Sequence, residues 1–213
     1  MQSALSTILT WFLRLDQSLG AVIASQGEWT YALLAAIIFL ETGLVITPFL
    51  PGDSLLFAAG TFAGIGALSL WVILPLLMMA AILGDTFNYW IGRKYGLKVY
   101  RRFQGKILKP EYLEKTQAFY RKHGARTIVL ARFVPIVRTL APFVAGVGEM
   151  PYRTFLRYNI VGGIAWVGLL TLAGYFLGSI SFIQRHFSLV VLAIVGVSLL
   201  PMAWERLQTR RNT

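Results

Sequence analysis

The first long hydrophobic stretch of this chain, residues 31–67, is interrupted by residues that a regular helix cannot hold. Its apolar run ends at Glu41 and leads into the segment Thr-Pro-Phe-Leu-Pro-Gly-Asp, which ends at Asp53. The residues expected to break the helix there are Pro48, Pro51 and Gly52. Non-helical backbone at membrane depth is tolerated only where protein buries it or where it lines a wet cavity. The stretch is therefore predicted to form a re-entrant helical hairpin, which enters and leaves the membrane on one side.

The composition and the remaining apolar runs place the whole chain in a bilayer. Hydrophobic residues make up 56% of the 213 residues and charged residues only 14%, whereas a soluble domain has about 25% charged residues. Residues 68–91, 158–178 and 187–204 are long enough to cross a hydrocarbon core of about 30 Å as helices. Residues 4–25 have apolar side chains at three-to-four spacing, which favours an amphipathic surface helix over a fourth spanning helix.

A second broken stretch, residues 127–148, has the same pattern as the first. Its expected helix breaks fall at Pro135, Pro142 and Gly146. We interpret it as a second re-entrant hairpin, oriented opposite to the first. Two spanning helices also end alike, in Tyr89–Gly92 and Tyr175–Gly178. Together these features predict an all-α membrane protein built as an inverted repeat, as many secondary transporters are.

The basic residues set the expected orientation in the membrane. The net charge is +11, and residues 93–126 hold eleven Lys and Arg against two Glu. By the positive-inside rule this segment, with an amphipathic helix beginning at Pro110, is cytoplasmic, as is the basic C-terminus. In a soluble protein such charge would indicate a nucleic-acid partner. Because the basic residues cluster between hydrophobic spans, we expect no nucleic acid here.

Charged side chains within the broken stretches are the candidate functional residues. Each costs at least about 2.5–3.5 kcal/mol at the centre of a spanning helix. Glu41 and Asp53 belong to the first hairpin, and Arg132 and Arg138 belong to the second. A guanidinium matches the geometry of phosphate, so we expect the arginines to bind an anionic phosphate. The acids are predicted to carry protons, and the proton and the phosphate are predicted to compete for the same two arginines. The alternative is that buried ion pairs only hold the hairpins together.

Asp85 is a secondary candidate for proton binding. Its position near the end of the predicted helix 68–91 favours a capping role instead. The chain has no Cys, and its two His residues, His123 and His186, are far apart. We therefore expect no metal site, no cofactor, no catalytic residues and no enzymatic activity. The sequence leaves homo-oligomerisation open.

Three ordered motifs carry a family resemblance. They are Glu-Thr-Gly-Leu-Val-Ile-Thr-Pro-Phe-Leu-Pro-Gly-Asp at 41–53, Gly-Asp at 84–85 with Gly-Arg at 92–93, and Arg-Phe-Val-Pro-Ile-Val-Arg at 132–138. Together they closely resemble the bacterial DedA family, also called the VTT-domain or SNARE-associated family, over about residues 15–205. The resemblance implies a multi-pass protein of the bacterial inner membrane. It also implies that the acids and arginines critical in the family are Glu41, Asp53, Arg132 and Arg138.

The same resemblance suggests what the protein transports. Family members are implicated in returning the carrier lipid undecaprenyl phosphate across the membrane and in dependence on the proton motive force, and eukaryotic relatives are lipid scramblases. The leading hypothesis is therefore a flippase for an anionic lipid with a phosphate headgroup, coupled to protons. The alternatives are a phospholipid scramblase, a proton-coupled transporter of small solutes or ions, and a non-transporting factor in membrane homeostasis.

Overall fold

The computed structural model describes residues 27–44, 52–103, 110–178 and 180, and the regular structure in these residues is helical. The helices are α1 (Trp29–Gly43), α2 (Gly52–Gly64), α3 (Leu70–Phe103), α4 (Pro110–His123), α5 (Thr127–Ala131), α6 (Pro135–Val147) and α7 (Tyr152–Gly178), with a 3₁₀ turn at Gly124–Arg126. The predicted all-helical class is confirmed for these residues. The predicted helices 4–25 and 187–204, and the breaks at Pro48 and Pro51, lie outside the described residues.

Two helices, α3 and α7, have apolar stretches long enough to cross a membrane, at Leu70–Gly96 and Tyr152–Gly178. At about 1.5 Å per residue, a stretch of 27 residues extends about 40 Å. Both helices are longer than predicted. α3 continues to Phe103, inside the basic segment 93–126, because Arg, Lys and Leu are good helix formers. Hydropathy marked the end of the apolar run, which is not the end of the helix.

The chain divides into two compact units that each combine distant segments. The first unit is Met1–Ala35, Pro51–Leu76 and Leu169–Thr213, and the second is Ala36–Leu50 and Leu77–Gly168. The first therefore contains α2 and the end of α7. The second contains most of α3, all of α4 to α6 and the start of α7.

In the first unit, α2 packs in parallel against the end of α7 through glycines. A Cβ on Gly60 would overlap the Thr171 carbonyl, and a Cβ on Gly174 would overlap the Phe57 carbonyl. The Thr61 hydroxyl also donates a hydrogen bond of 3.3 Å to the Gly174 carbonyl. Within a membrane, small residues at an interface let two helices approach closely enough for backbone contact.

In the second unit, α6 packs against α3 in the same manner. A Cβ on Gly92 would overlap the Phe143 carbonyl, and a Cβ on Gly146 would overlap the Tyr89 carbonyl. Gly146 lies in the last turn of α6, one residue before the helix ends at Val147, and it also provides room for α3. The predicted break at Pro142 is wrong, since Pro142 lies inside α6.

Two more of the predicted helix breaks lie in the described residues, and each falls at the start of a helix. Gly52 is the first residue of α2. Pro135 is the first residue of α6, a position where the missing N–H of proline leaves no hydrogen bond unmade. Pro135 thus follows the extended residue Val134, as expected from proline chemistry, and Gly52 begins the first helix described after residue 44.

The helix contacts of the two units share one spacing. In each, a Phe-x-x-Gly sequence, at Phe57–Gly60 or Phe143–Gly146, packs against a glycine and the carbonyl three residues before it. Such agreement is what an internal repeat produces. In these contacts Gly92 has the position that Gly174 has in the other unit, whereas the similar helix endings Tyr89–Gly92 and Tyr175–Gly178 had matched Gly92 with Gly178. The inverted orientation and the re-entrant course of the hairpins stay predictions.

Candidate functional site

The second unit buries two ion pairs drawn from four separate places in the sequence. Arg132 Nη2 lies 2.6 Å from Asp85 Oδ2, and Arg138 Nη2 lies 2.7 Å from Glu41 Oε1. The side chains of Arg132, Asp85 and Glu41 are at most 4% exposed, and that of Arg138 is 10% exposed. We call these four residues the charge cluster. Glu41, Arg132 and Arg138 were predicted as site residues, and Asp85 was the secondary candidate.

The fourth predicted residue, Asp53, belongs to the other unit. It lies in the first turn of α2, where an acidic side chain suits the positive end of a helix dipole. Its role as a proton carrier stays a prediction. The second acid of the charge cluster is Asp85, whereas Asp53 was expected there.

Asp85 lies in the middle of α3, so the expected capping role is wrong. Fifteen residues separate it from Leu70, about 22 Å along the helix axis, and α3 continues to Phe103. Asp85 is 3% exposed and accepts a hydrogen bond from Arg132. It was misassigned because the helix was predicted to end at residue 91.

Arg132 reaches Asp85 because Pro135 interrupts the helical path. The residue before a proline is disfavoured in helical conformation, and Val134 is extended, with φ −123° and ψ 104°. The amides of Arg132 and Phe133 bond instead to carbonyls three residues back, Val129 and Leu130. The chain therefore turns between α5 and α6, and Arg132 lies at that turn.

Arg138 and Glu41 both lie at helix ends whose dipoles disfavour their charge. Arg138 lies in the first turn of α6, at the positive end, and Glu41 lies in the last turn of α1, at the negative end. Each placement costs roughly 0.3–1 kcal/mol relative to the opposite end. The Arg138–Glu41 pair offsets this cost. The same positive helix end suits an external anion.

Asn159 holds the Arg132 guanidinium in place. Its Oδ1 accepts a hydrogen bond of 2.6 Å from Arg132 Nη2. Its Nδ2 donates to the Ile82 carbonyl at 3.0 Å and to Thr86 Oγ1 at 3.3 Å. The sequence analysis missed Asn159, although a polar amide inside a predicted spanning helix was a usable signal.

Trp166 joins the two ion pairs and was also missed. Its ring centroid is 4.9 Å from Arg138 Cζ and 5.7 Å from Arg132 Cζ. The side chain is buried, with the residue 2% exposed. Because the face of an indole ring attracts cations, one tryptophan partly compensates two buried positive charges.

Arg132 retains donors that its neighbours do not use. Its Nε and Nη1 are buried and have no hydrogen-bond acceptor among the described residues. The side chain packs against Gly162, where a Cβ would lie 3.1 Å from Arg132 Nε. Buried donors without a partner cost about 1–3 kcal/mol each. A guanidinium in this condition has the capacity to bind an additional acceptor.

We expect Trp166→Leu to lower the thermal midpoint in detergent more than Trp166→Phe. Phenylalanine keeps an aromatic face for the two guanidiniums, and a desolvated cation–π contact is worth about 2 kcal/mol. The control is Trp71→Leu, at a residue that is 89% exposed, where a change within about 0.5 kcal/mol is expected. Equal effects of the Leu and Phe variants would show that the ring face does not stabilise the cluster.

Comparisons with known proteins agree on one family. The sequence model of the VTT domain matches residues 50–176. The chain is 48% identical over 206 residues to protein DedA of Escherichia coli (strain K12), covering 96% of this chain and 94% of that protein. It is 35% identical over 173 residues to inner membrane protein YghB of the same strain, covering 80% and 78%.

A mycobacterial protein is also similar to this chain. The chain is 42% identical over 197 residues to an uncharacterised membrane protein of Mycobacterium leprae (strain TN), covering 90% of this chain and 88% of that protein. No solved structure matches the chain. The chain is thus similar to these proteins over most of their length, and their names refer to the family or to a membrane location.

Proposed function

The chain belongs to the VTT-domain (DedA) family of membrane proteins, and from this premise we propose that it transports an anionic, phosphate-bearing lipid across the membrane together with protons. Undecaprenyl phosphate is the lipid that we propose. The family prediction made from the motifs is confirmed. One relative is named as an inner membrane protein, and we propose the same location for this chain. The observation that carries the proposed function is the charge cluster.

The placement of the charge cluster supports function over stability alone. Burying an ion pair often costs more in desolvation than the attraction returns, so a hydrophobic pair would stabilise the fold as well or better. Glu41 and Arg138 also oppose the dipoles of their own helices. In addition, Arg132 keeps two buried nitrogens without an acceptor. These features suit a site that exchanges partners.

The proposed exchange is between a carboxylate and a phosphate. When Asp85 or Glu41 takes up a proton, its charge is lost and the paired arginine is left as an uncompensated buried cation. A lipid phosphate then replaces the carboxylate as the acceptor for that guanidinium. On the other side, loss of the proton restores the carboxylate, which displaces the phosphate. One proton thus enters the site with each negative charge that the arginine accepts.

The repeated helix contact supports a transporter architecture. α2 runs parallel to the end of α7 in one unit, and α6 runs parallel to α3 in the other, with the same glycine spacing. Transporters built from inverted repeats place their sites at broken helices near the membrane midplane. We propose that residues 31–91 and residues 127–178 are such repeats, each with one re-entrant hairpin followed by a spanning helix.

Transport in liposomes tests the proposal. Undecaprenyl phosphate that reaches the outer leaflet would be counted by its cleavage with an externally added phosphatase, with and without a pH gradient. The unmodified protein is expected to move the lipid faster with the gradient. Asp85→Asn and Glu41→Gln are each expected to abolish the response to the gradient, because neither amide titrates. The proposal predicts no such effect of Glu149→Gln, an exposed acid outside the cluster.

Two outcomes would contradict the proposal. If both cluster variants respond to the gradient as the unmodified protein does, protons are not exchanged at this site. If encapsulated inorganic phosphate leaves the liposomes while the lipid does not move, the protein is a transporter of small ions. Equal movement of a neutral phospholipid, independent of the gradient, would favour a scramblase.

A further inference from the structure

A groove of about 380 Å³ lies between α4 and α6 and extends to the turn that follows α6. Its apolar lining includes Val144, Ala145, Val147 and Met150, and its polar lining includes Gln117 and Arg121. All of these residues belong to the second unit. The groove therefore combines an apolar wall along α6 with a cation on α4, the two parts that an amphipathic ligand requires.

Among the described residues, the lining of the groove includes one cation, Arg121, and no acid. Arg121 is exposed, as are the basic residues Lys122 and Arg126 that follow it in sequence. Glu149 is also exposed, between the lining residues Gly148 and Met150, but does not itself line the groove. Basic residues beside an apolar surface attract anionic lipid headgroups. The charge complementarity thus selects an anion with an apolar chain over a neutral apolar ligand.

Tyr120 links the groove lining to α6. It lines the groove, and its hydroxyl donates a hydrogen bond of 2.9 Å to the Ala141 carbonyl on α6. Burial, and secondly the negative charge of Asp85, raise the pKa of the Tyr120 hydroxyl. The charge of one member of the charge cluster thus acts on a residue of the groove lining.

We propose that this groove binds one anionic membrane lipid, with its phosphate at Arg121 and its chain along Val144 and Val147. The groove would then be the position from which a headgroup approaches the charge cluster. This link to transport rests on the proposed function, whereas lipid binding in the groove does not.

Thiol protection tests the groove directly, because the chain has no Cys. Single cysteines are introduced as Gln117→Cys, which lines the groove, and Ala118→Cys, an exposed neighbour that does not. Each full-length variant is placed in phosphatidylcholine nanodiscs with or without phosphatidic acid. The rate of reaction with a water-soluble maleimide is measured. At a lipid level about ten times the apparent Kd, phosphatidic acid is expected to slow labelling of Gln117→Cys about tenfold.

The remaining arms separate the lipid from other causes. Ala118→Cys should label at the same rate in both membranes, and adding Arg121→Gln to Gln117→Cys should remove the protection. Protection by inorganic phosphate alone would show a site for free anions and overturn the proposal. Equal slowing at Ala118→Cys, or none at Gln117→Cys, would overturn it as well. Protection without lipid movement in liposomes would retain the groove and reject the transport function, whereas movement without protection would do the reverse.

Discussion

Arg132→Gln is expected to abolish lipid movement and to destabilise the protein by about 3–5 kcal/mol. The substitution leaves Asp85 buried and charged, with its 2.6 Å partner removed. It also removes the donor of the hydrogen bond that Asn159 accepts, and the cation that lies over the Trp166 ring. The loss of stability is measured as the thermal midpoint in detergent, and the loss of transport by the phosphatase assay in liposomes.

A double variant separates the stability effect from the transport effect. Combining Arg132→Gln with Asp85→Asn removes both charges, so no buried ion is left uncompensated. We expect this protein to recover most of the lost stability, because neutral partners can replace a buried pair at little cost. Transport should stay absent. If the double variant both folds and transports normally, the pair is only a structural element, and the alternative of a non-transporting role gains support.

Gly174→Ala is expected to disrupt the first unit, although it adds a single methyl group. The new Cβ would overlap the Phe57 carbonyl, which is backbone inside α2 and cannot move aside as a flexible side chain can. Overpacking of this kind costs about 1–3 kcal/mol and occasionally more. We expect a lower thermal midpoint and loss of a monodisperse peak in size-exclusion chromatography. Gly92→Ala should have the equivalent effect in the second unit, where the Phe143 carbonyl is in the way.

Gly168→Ala is the matched control on the same helix. Among the residues that the structure describes, its Cβ would meet only the flexible end of Met78, at 3.5 Å, which is an ordinary contact distance. Alanine is also the better helix former by up to about 1 kcal/mol, so stability should be unchanged or slightly higher. If Gly174→Ala is tolerated as well as Gly168→Ala, the close approach of α2 and α7 is not required for folding.

The sequence predicted the charged members of the site better than their partners. Glu41, Arg132 and Arg138 were recognised because a charge within an apolar, proline-broken stretch is costly wherever its partner lies. Asp85 was assigned to a helix end, because the end of an apolar run was equated with the end of a helix. Gly146 was assigned to a break, since a contact with a carbonyl on another helix leaves no local signal.

That this chain is helical, belongs in a membrane and must neutralise buried charges follows from its residues alone. These properties depend on residue type and on neighbours in sequence, such as the proline that turns the chain after Arg132. Which acid meets which arginine depends on the tertiary structure, as does the completion of the cluster by Asn159 and Trp166. Arg132 and Asp85 are 47 positions apart and Arg138 and Glu41 are 97 positions apart. Pairing over such separations depends on how helices pack, and helix packing is a property of the whole fold.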